Sequence, residues 1–124
     1  MARFVAGVVV GLLVAVAGLA AHRQVWRSGQ VAVPWGLALS LVTLLTTVLA
    51  ARYLGGVTAV LGTSAGWVAT VVWLQTPRPE GDFLLAADAL GYGFAVGGMV
   101  VALLGVVIAM SRPPRARSRP GDDR

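Results

Sequence analysis

The sequence contains no cysteine and no lysine, and its first acidic residue is Glu80. Without cysteine, the chain can form neither a disulfide nor a thiolate site for metal binding or catalysis. Three of the five acidic residues lie in the segment QTPRPEGDFLLAAD, residues 75–88, and the other two lie within the last three residues. This segment is therefore a site, a contact surface, or only the connection between two membrane helices.

Apolar residues, in contrast, are abundant. The chain has 124 residues, of which 57% are hydrophobic and 12% are charged, and its mean hydropathy is +0.81. Too little polar surface remains to cover a water-soluble domain, so we expect one compact membrane domain. All ten basic residues are arginine, and half of them lie in the final thirteen residues beside an apolar segment. This placement predicts a contact with anionic lipid and no nucleic-acid partner.

Four uncharged apolar stretches are each long enough to cross a membrane as a helix, which takes roughly 20 residues. They cover residues 4–21, 31–51, 54–75 and 89–110. Their apolar character is continuous, whereas a β-barrel would show short alternating strands, so helices are predicted. The predicted fold is an all-α four-helix transmembrane bundle over residues 1–111, followed by a disordered, Arg/Pro-rich tail over residues 112–124.

Two similar segments suggest an internal repeat. ARFVAGV, residues 2–8, and ARYLGGV, residues 51–57, share alanine, arginine, glycine and valine at matching positions. The hypothesis is two tandem helical hairpins related by an axis along the membrane normal. The alternative is a chance match favoured by the biased composition.

The arginine distribution predicts a multi-pass protein of the cell membrane with cytoplasmic N- and C-termini. With four crossings, one side holds seven arginines, namely Arg3, Arg52 and the five of the tail, and the other side holds three. Basic residues are enriched on the cytoplasmic side. The first apolar stretch exceeds the usual signal-peptide core of about 7–15 residues, so we expect it to be retained.

Small residues recur at four-residue spacing in every predicted span, and such ladders let membrane helices approach closely. The predicted helix-packing residues are Gly7, Gly11, Gly36, Gly62, Gly66, Gly93 and Gly97. In the last span, Gly91, Gly98 and Gly105 form a second series at heptad spacing. The alternative is that a chain with 16 glycines produces such spacings by chance. The threonine and serine hydroxyls within the spans are expected to bond to carbonyls one turn earlier.

Charged side chains suggest two contact surfaces. Asp88 suits the N-cap of the last span, which leaves Glu80 and Asp82 to face Arg23 and Arg27 as a candidate outer-side contact between the hairpins. Solvated charges that only keep the connection outside are the alternative. In the tail, the predicted lipid-facing residues are Arg112, Arg115, Arg117 and Arg119. A simple topology anchor is the alternative there.

No catalytic, cofactor or metal site is predicted, and we expect no enzyme activity. His22 is the single histidine, and it suits a cap at the end of the first span better than a metal site with Glu80 and Asp82. The chain has no Ser-His-Asp order, phosphate-binding loop or HExxH motif. The spans also lack the intramembrane ionisable residues that are typical of coupled transport.

The segment ARFVAGVVVGLLVAVAGLA, the RPEGD of the third connection and the arginine-rich end resemble uncharacterised small four-span membrane proteins of actinobacteria. The resemblance covers most of the chain and implies localisation, with no assigned activity. The predicted function is therefore a non-enzymatic accessory or structural role, in which the protein packs with itself or with a larger membrane partner. The alternative is a small transporter or a holin-like pore-former.

Overall fold

A computed structural model of the chain describes residues 1–77, 79 and 88–111. The elements in chain order are α1 (Ala2–Ala21), β1 (Trp26–Ser28), β2 (Val31–Val33), α2 (Trp35–Gln75) and α3 (Ala89–Met110). The described part is mostly helical, and each of its three helices is long and apolar enough to cross a membrane. Their mean hydropathies are 2.6, 1.8 and 2.4. The predicted tail lies outside the described residues.

The helix α2 contains a break at Gly56. The backbone there has φ 70° and ψ −159°, a conformation open to glycine and strained for residues with a Cβ. Two helices separated by the RYLGG join were expected, but helical structure continues up to the break and resumes directly after it. The expected helix count of four is therefore replaced by three within the described residues. The physical reason is that a single glycine changes the chain direction without a loop.

The direction of α2 relative to α1 reverses at this break. Before the break, Gly36 near the start of α2 packs against Ala21 at the end of α1. After the break, Gly62 packs against Phe4 near the start of α1. The two halves of α2, residues 35–55 and 57–75, therefore run in opposite directions, the first antiparallel and the second parallel to α1.

The contacts of α3 show the same reversal in the direction of α2. Leu37 of the first half lies beside Gly93, and Val48 lies beside Gly105, so this half runs parallel to α3. In the second half, Trp67 contacts Gly98, whereas the earlier residue Ser64 donates a hydrogen bond across to the Ala102 carbonyl, 3.5 Å away. The second half therefore runs antiparallel to α3.

A short β-hairpin replaces the polar connection predicted after the first span. Strands β1 and β2 pair in antiparallel register, with Trp26 opposite Val33 and Ser28 opposite Val31. The two-residue loop begins with Gly29, whose φ of 59° matches the first central position of a type II′ turn. The predicted start of the second span at residue 31 is wrong, because Val31–Val33 is a strand and the helix begins at Trp35. Pro34 separates the two elements.

The core is apolar and lies between the helices. Its largest members are Trp67, Phe94 and Leu44, each at most 1% exposed. The outward faces are apolar as well: Leu13 of α1 and Leu103 of α3 expose 59% and 64% of their surfaces. Helices that are apolar on all sides suit a lipid environment or a protein partner better than water.

Candidate functional site

A close backbone contact joins α1 to the second half of α2 through two pairs of glycines. Gly7 meets Gly62 directly, Gly11 lies against the Thr63 backbone, and Gly66 lies against the Val8 backbone, so that two GxxxG segments pack against each other. A Cβ on Gly7 would lie 2.9 Å from the Thr63 amide nitrogen. The neighbours are backbone atoms, which cannot rotate away, so larger side chains at these positions would force the helices apart.

The other predicted packing glycines divide into two groups. Gly36 is buried, and a Cβ there would collide with the Ala21 carbonyl group. Gly93 and Gly97 are only partly buried and face the side-chain ends of Leu37 and Leu41.

The glycines that α3 buries are instead those at heptad spacing, Gly91, Gly98 and Gly105. A Cβ on Gly98 would collide with the Trp67 ring, and one on Gly105 would collide with the Val48 side chain. The heptad series is therefore the more deeply buried glycine face of α3, and the predicted Gly93–Gly97 pair meets α2 only at the side-chain ends of two leucines.

An ion pair joins the segment between α1 and β1 to the start of α3. The Arg23 guanidinium donates a hydrogen bond to the Asp88 carboxylate at 3.0 Å, with both side chains about half exposed. The prediction that Asp88 caps α3 is confirmed, because its carboxylate accepts from the Gly91 amide at 2.8 Å. This backbone bond, with a further contribution from Arg23, outweighs desolvation and holds the pKa of Asp88 below its usual value.

The predicted contact surface of Arg23, Arg27, Glu80 and Asp82 is only partly described. Glu80 and Asp82 lie outside the described residues. Arg27 lies in β1 and makes no ion pair with any residue of the described ranges. Of this set, Arg23 is the one with an observed carboxylate partner, and that partner is Asp88. The four predicted lipid-facing arginines of the tail also lie outside the described residues.

His22 is fully buried at the end of α1 and caps that helix, as predicted. Its Nδ1 donates toward the carbonyls of Gly18 and Leu19, at 3.2 and 2.9 Å. The ring stacks on Phe94, with centroids 4.9 Å apart, and Phe94 in turn contacts Trp67. The other ring nitrogen, Nε2, has no hydrogen-bond partner among the described residues. Within the same residues, no group of three potential ligands could hold a metal ion.

The hydroxyl groups in α2 are mostly satisfied by their own helix. Threonines donate to the carbonyl four residues earlier, over 2.7–2.9 Å, at Thr43, Thr46, Thr47, Thr63 and Thr70. The prediction of local hydroxyl bonds is confirmed for these residues. Ser64 differs, since it donates across to α3. Ser40 donates to Gly36 and also lies 3.3 Å from the Gly18 carbonyl oxygen of α1.

Two features of this region were not predicted from the sequence. The first is the Arg23 partner of Asp88, for which only helix capping was expected, although a carboxylate can accept from a backbone amide and an arginine together. The second is the stacking of His22 on Phe94, which joins residues 72 positions apart and leaves no local pattern.

Apolar helices of membrane-spanning length, packed on glycine and joined by short connections, define a class of small helical proteins suited to a lipid bilayer. Residues 1–121 match the sequence profile of DUF6113, a family of unknown function. The chain therefore belongs to that family. No curated protein and no solved structure matches the chain. The family description names no source, so the actinobacterial origin stays a prediction.

Proposed function

We propose that the protein is a small integral membrane protein with a non-enzymatic accessory or structural role, which packs with itself or with a larger membrane partner. The observation that carries this proposal is the contrast between the interior and the surface. Inside, glycines bring the helices into backbone contact. Outside, large apolar side chains cover all three helices and supply surface for lipid or another membrane protein.

Four membrane crossings are part of the proposal. A straight helix of 41 residues would be about 60 Å long, roughly twice the hydrocarbon thickness of a bilayer. The two halves of α2, before and after Gly56, are about 31 and 28 Å long, and each length matches one crossing of the bilayer. The opposite directions of the two halves support a turn at Gly56 near the membrane surface, which would also complete two tandem helical hairpins.

The distribution of arginines supports cytoplasmic termini. The Arg3 side chain lies beside Gly55, next to the break, and the Arg52 guanidinium donates to the Ser111 carbonyl over 3.5 Å. The chain start, the break and the end of α3 thus share one end of the bundle, which also leads into the arginine-rich tail. Arg23 and Arg27 lie near the other end. The positive-inside rule then favours the former end as cytoplasmic.

The alternative role as a transporter or pore would require a polar path across the bilayer. The described hydroxyls of α2 largely donate to nearby carbonyls, which supports the accessory role. His22 is buried at one end of the bundle and does not extend such a path into its middle.

Two measurements test this proposal. A photo-crosslinking amino acid replaces Leu103 in one variant and Leu13 in a second variant. Each variant is then crosslinked in its native membrane. An accessory role predicts a discrete crosslinked protein, either a second copy or one partner, from at least one face, while buried Ala102 gives none. The purified protein in dye-loaded liposomes is expected to cause no leakage. The accessory role would be contradicted if dye or proton flux exceeds that of protein-free liposomes and if both Leu103 and Leu13 crosslink only to lipid.

A further inference from the structure

A cavity of about 280 Å³ opens between the start of α1 and the two halves of α2, next to the Gly56 break. Small and apolar residues line most of it, including Ala6, Val10, Ala50, Leu54 and Ala59. We call this cavity the Arg3 groove, because Arg3 also lines it. Its volume is just below the range of roughly 300–1,000 Å³ for ligand pockets, which suits a segment of a chain-like molecule.

Arg3 gives the groove a charged rim. Its side chain is exposed, and Cδ would lie 3.9 Å from a Cβ placed on Gly55. Among the described residues Arg3 has no ion-pair partner. The described carboxylate of Asp88 lies beside Arg23, just past the opposite end of α1, which is about 30 Å away. The guanidinium therefore stands at an apolar groove without a described protein anion to pair with.

Apolar walls beside an unpaired guanidinium match the chemistry of one ligand class, the anionic phospholipid. An acyl chain fits the apolar walls, and the phosphate is the anion that a guanidinium binds with two parallel hydrogen bonds. A second copy inserted in the same orientation suits the groove less well, because it would bring its own Arg3 and Arg52 to the same level of the bilayer.

We propose that the Arg3 groove binds one acyl chain of an anionic phospholipid, whose phosphate pairs with Arg3. This inference rests on the membrane location in the proposed function. It does not depend on the identity of any partner, nor on which side of the membrane the termini lie.

The test is native mass spectrometry of the full-length protein in detergent, with phosphatidylglycerol or phosphatidylcholine added at equal concentration. We expect a one-lipid adduct that favours phosphatidylglycerol by about five- to tenfold, as one arginine near an anionic headgroup implies. Arg3→Gln should remove that preference, whereas Arg27→Gln, an equal charge change outside the groove, should keep it. Ala6→Phe should fill the groove and abolish the adduct with either lipid.

Two controls keep the outcomes distinct. Ala69→Phe adds the same bulk on an exposed face of α2 and should leave the adduct unchanged. A variant that ends at Ser111 should retain the preference for phosphatidylglycerol, because the groove and not the tail provides it.

The proposal is overturned if Arg3→Gln keeps the preference, if Ala6→Phe keeps the adduct, or if removal of the tail abolishes the preference. It is also overturned if the protein is a lipid-free dimer that Ala6→Phe dissociates, since a second copy would then occupy the groove. None of these results bears on the accessory role, which crosslinking and liposome leakage test separately.

Discussion

Replacement of Gly62 by alanine should separate α1 from the second half of α2. The added Cβ would lie 3.1 Å from the Phe4 carbonyl carbon and 3.2 Å from Gly7 Cα, and still closer to the Phe4 carbonyl oxygen. All of these are backbone atoms, so the collision is relieved only if one helix moves. Gly97→Ala is the matched control, because its Cβ would meet only the Leu41 side chain, at 3.1 and 3.2 Å.

The expected changes in stability differ in size. Overpacking costs about 1–3 kcal/mol, and alanine returns up to about 1 kcal/mol through its higher helix propensity. For Gly62→Ala the backbone cannot yield, so we expect a net loss of about 1–2 kcal/mol. For Gly97→Ala the leucine end can rotate, so the propensity gain should offset most of the strain and leave stability within about 1 kcal/mol of wild type.

Both variants can be compared with the wild type by unfolding in mixed micelles, with helix content as the readout. We expect the wild type and Gly97→Ala to be more stable than Gly62→Ala. If Gly62→Ala is as stable as Gly97→Ala, the contact between the two glycine pairs does not hold these helices together.

Three further results are expected. Arg23→Gln should lower stability slightly, because an exposed ion pair is lost. Asp88→Ala should lower stability more, because the cap to Gly91 is lost as well. Equal stability of the two variants in the micelle assay would argue against a capping role. Because folding lowers the pKa of Asp88, its contribution is present above the unfolded value of 3.8 and is lost as the pH falls through the lower folded value. The wild type should therefore lose more stability than Asp88→Asn between pH 6 and pH 3, and equal losses would exclude this linkage. Gly56→Ala should destabilise by about 1–2 kcal/mol, since positive φ is unfavourable for alanine, whereas a stabilised variant in the same assay would show that the break is not required.

The helices at the two ends of the described chain were predictable from apolar length alone. The predicted spans 4–21 and 89–110 correspond to Ala2–Ala21 and Ala89–Met110. Long uncharged segments leave few alternatives, because backbone groups in lipid must bond within a helix or a closed sheet.

The β-hairpin was not predictable in the same way. Val31, Ala32 and Val33 are apolar and precede an apolar helix, and a short apolar run fits a strand or a helix equally. The turn residues Gly29 and Gln30 were the available signal. They identify a hairpin only once the two flanking segments are seen to pair.

The packing face of α3 also depended on tertiary structure. Its sequence carries both a four-residue glycine pair and a heptad series, and spacing alone does not tell which one is buried more deeply. Trp67 and Val48 decide it, because their side chains lie where Gly98 and Gly105 leave space. In the same way, Arg23 pairs with Asp88 because α1 and α3 both pack on α2, which brings together residues 65 positions apart.

We propose that Gly56 divides α2 into two membrane crossings of opposite direction, and cysteine labelling tests this most directly. The natural chain has no cysteine, so single-cysteine variants at Ser28, Tyr53 and Thr76 each give a unique label with a membrane-impermeant maleimide on intact cells. All three positions are exposed. Two crossings predict that Ser28→Cys and Thr76→Cys label from the outside while Tyr53→Cys labels only after the membrane is opened. Labelling of Ser28→Cys and Thr76→Cys from opposite sides would contradict two crossings and show that α2 crosses the membrane once.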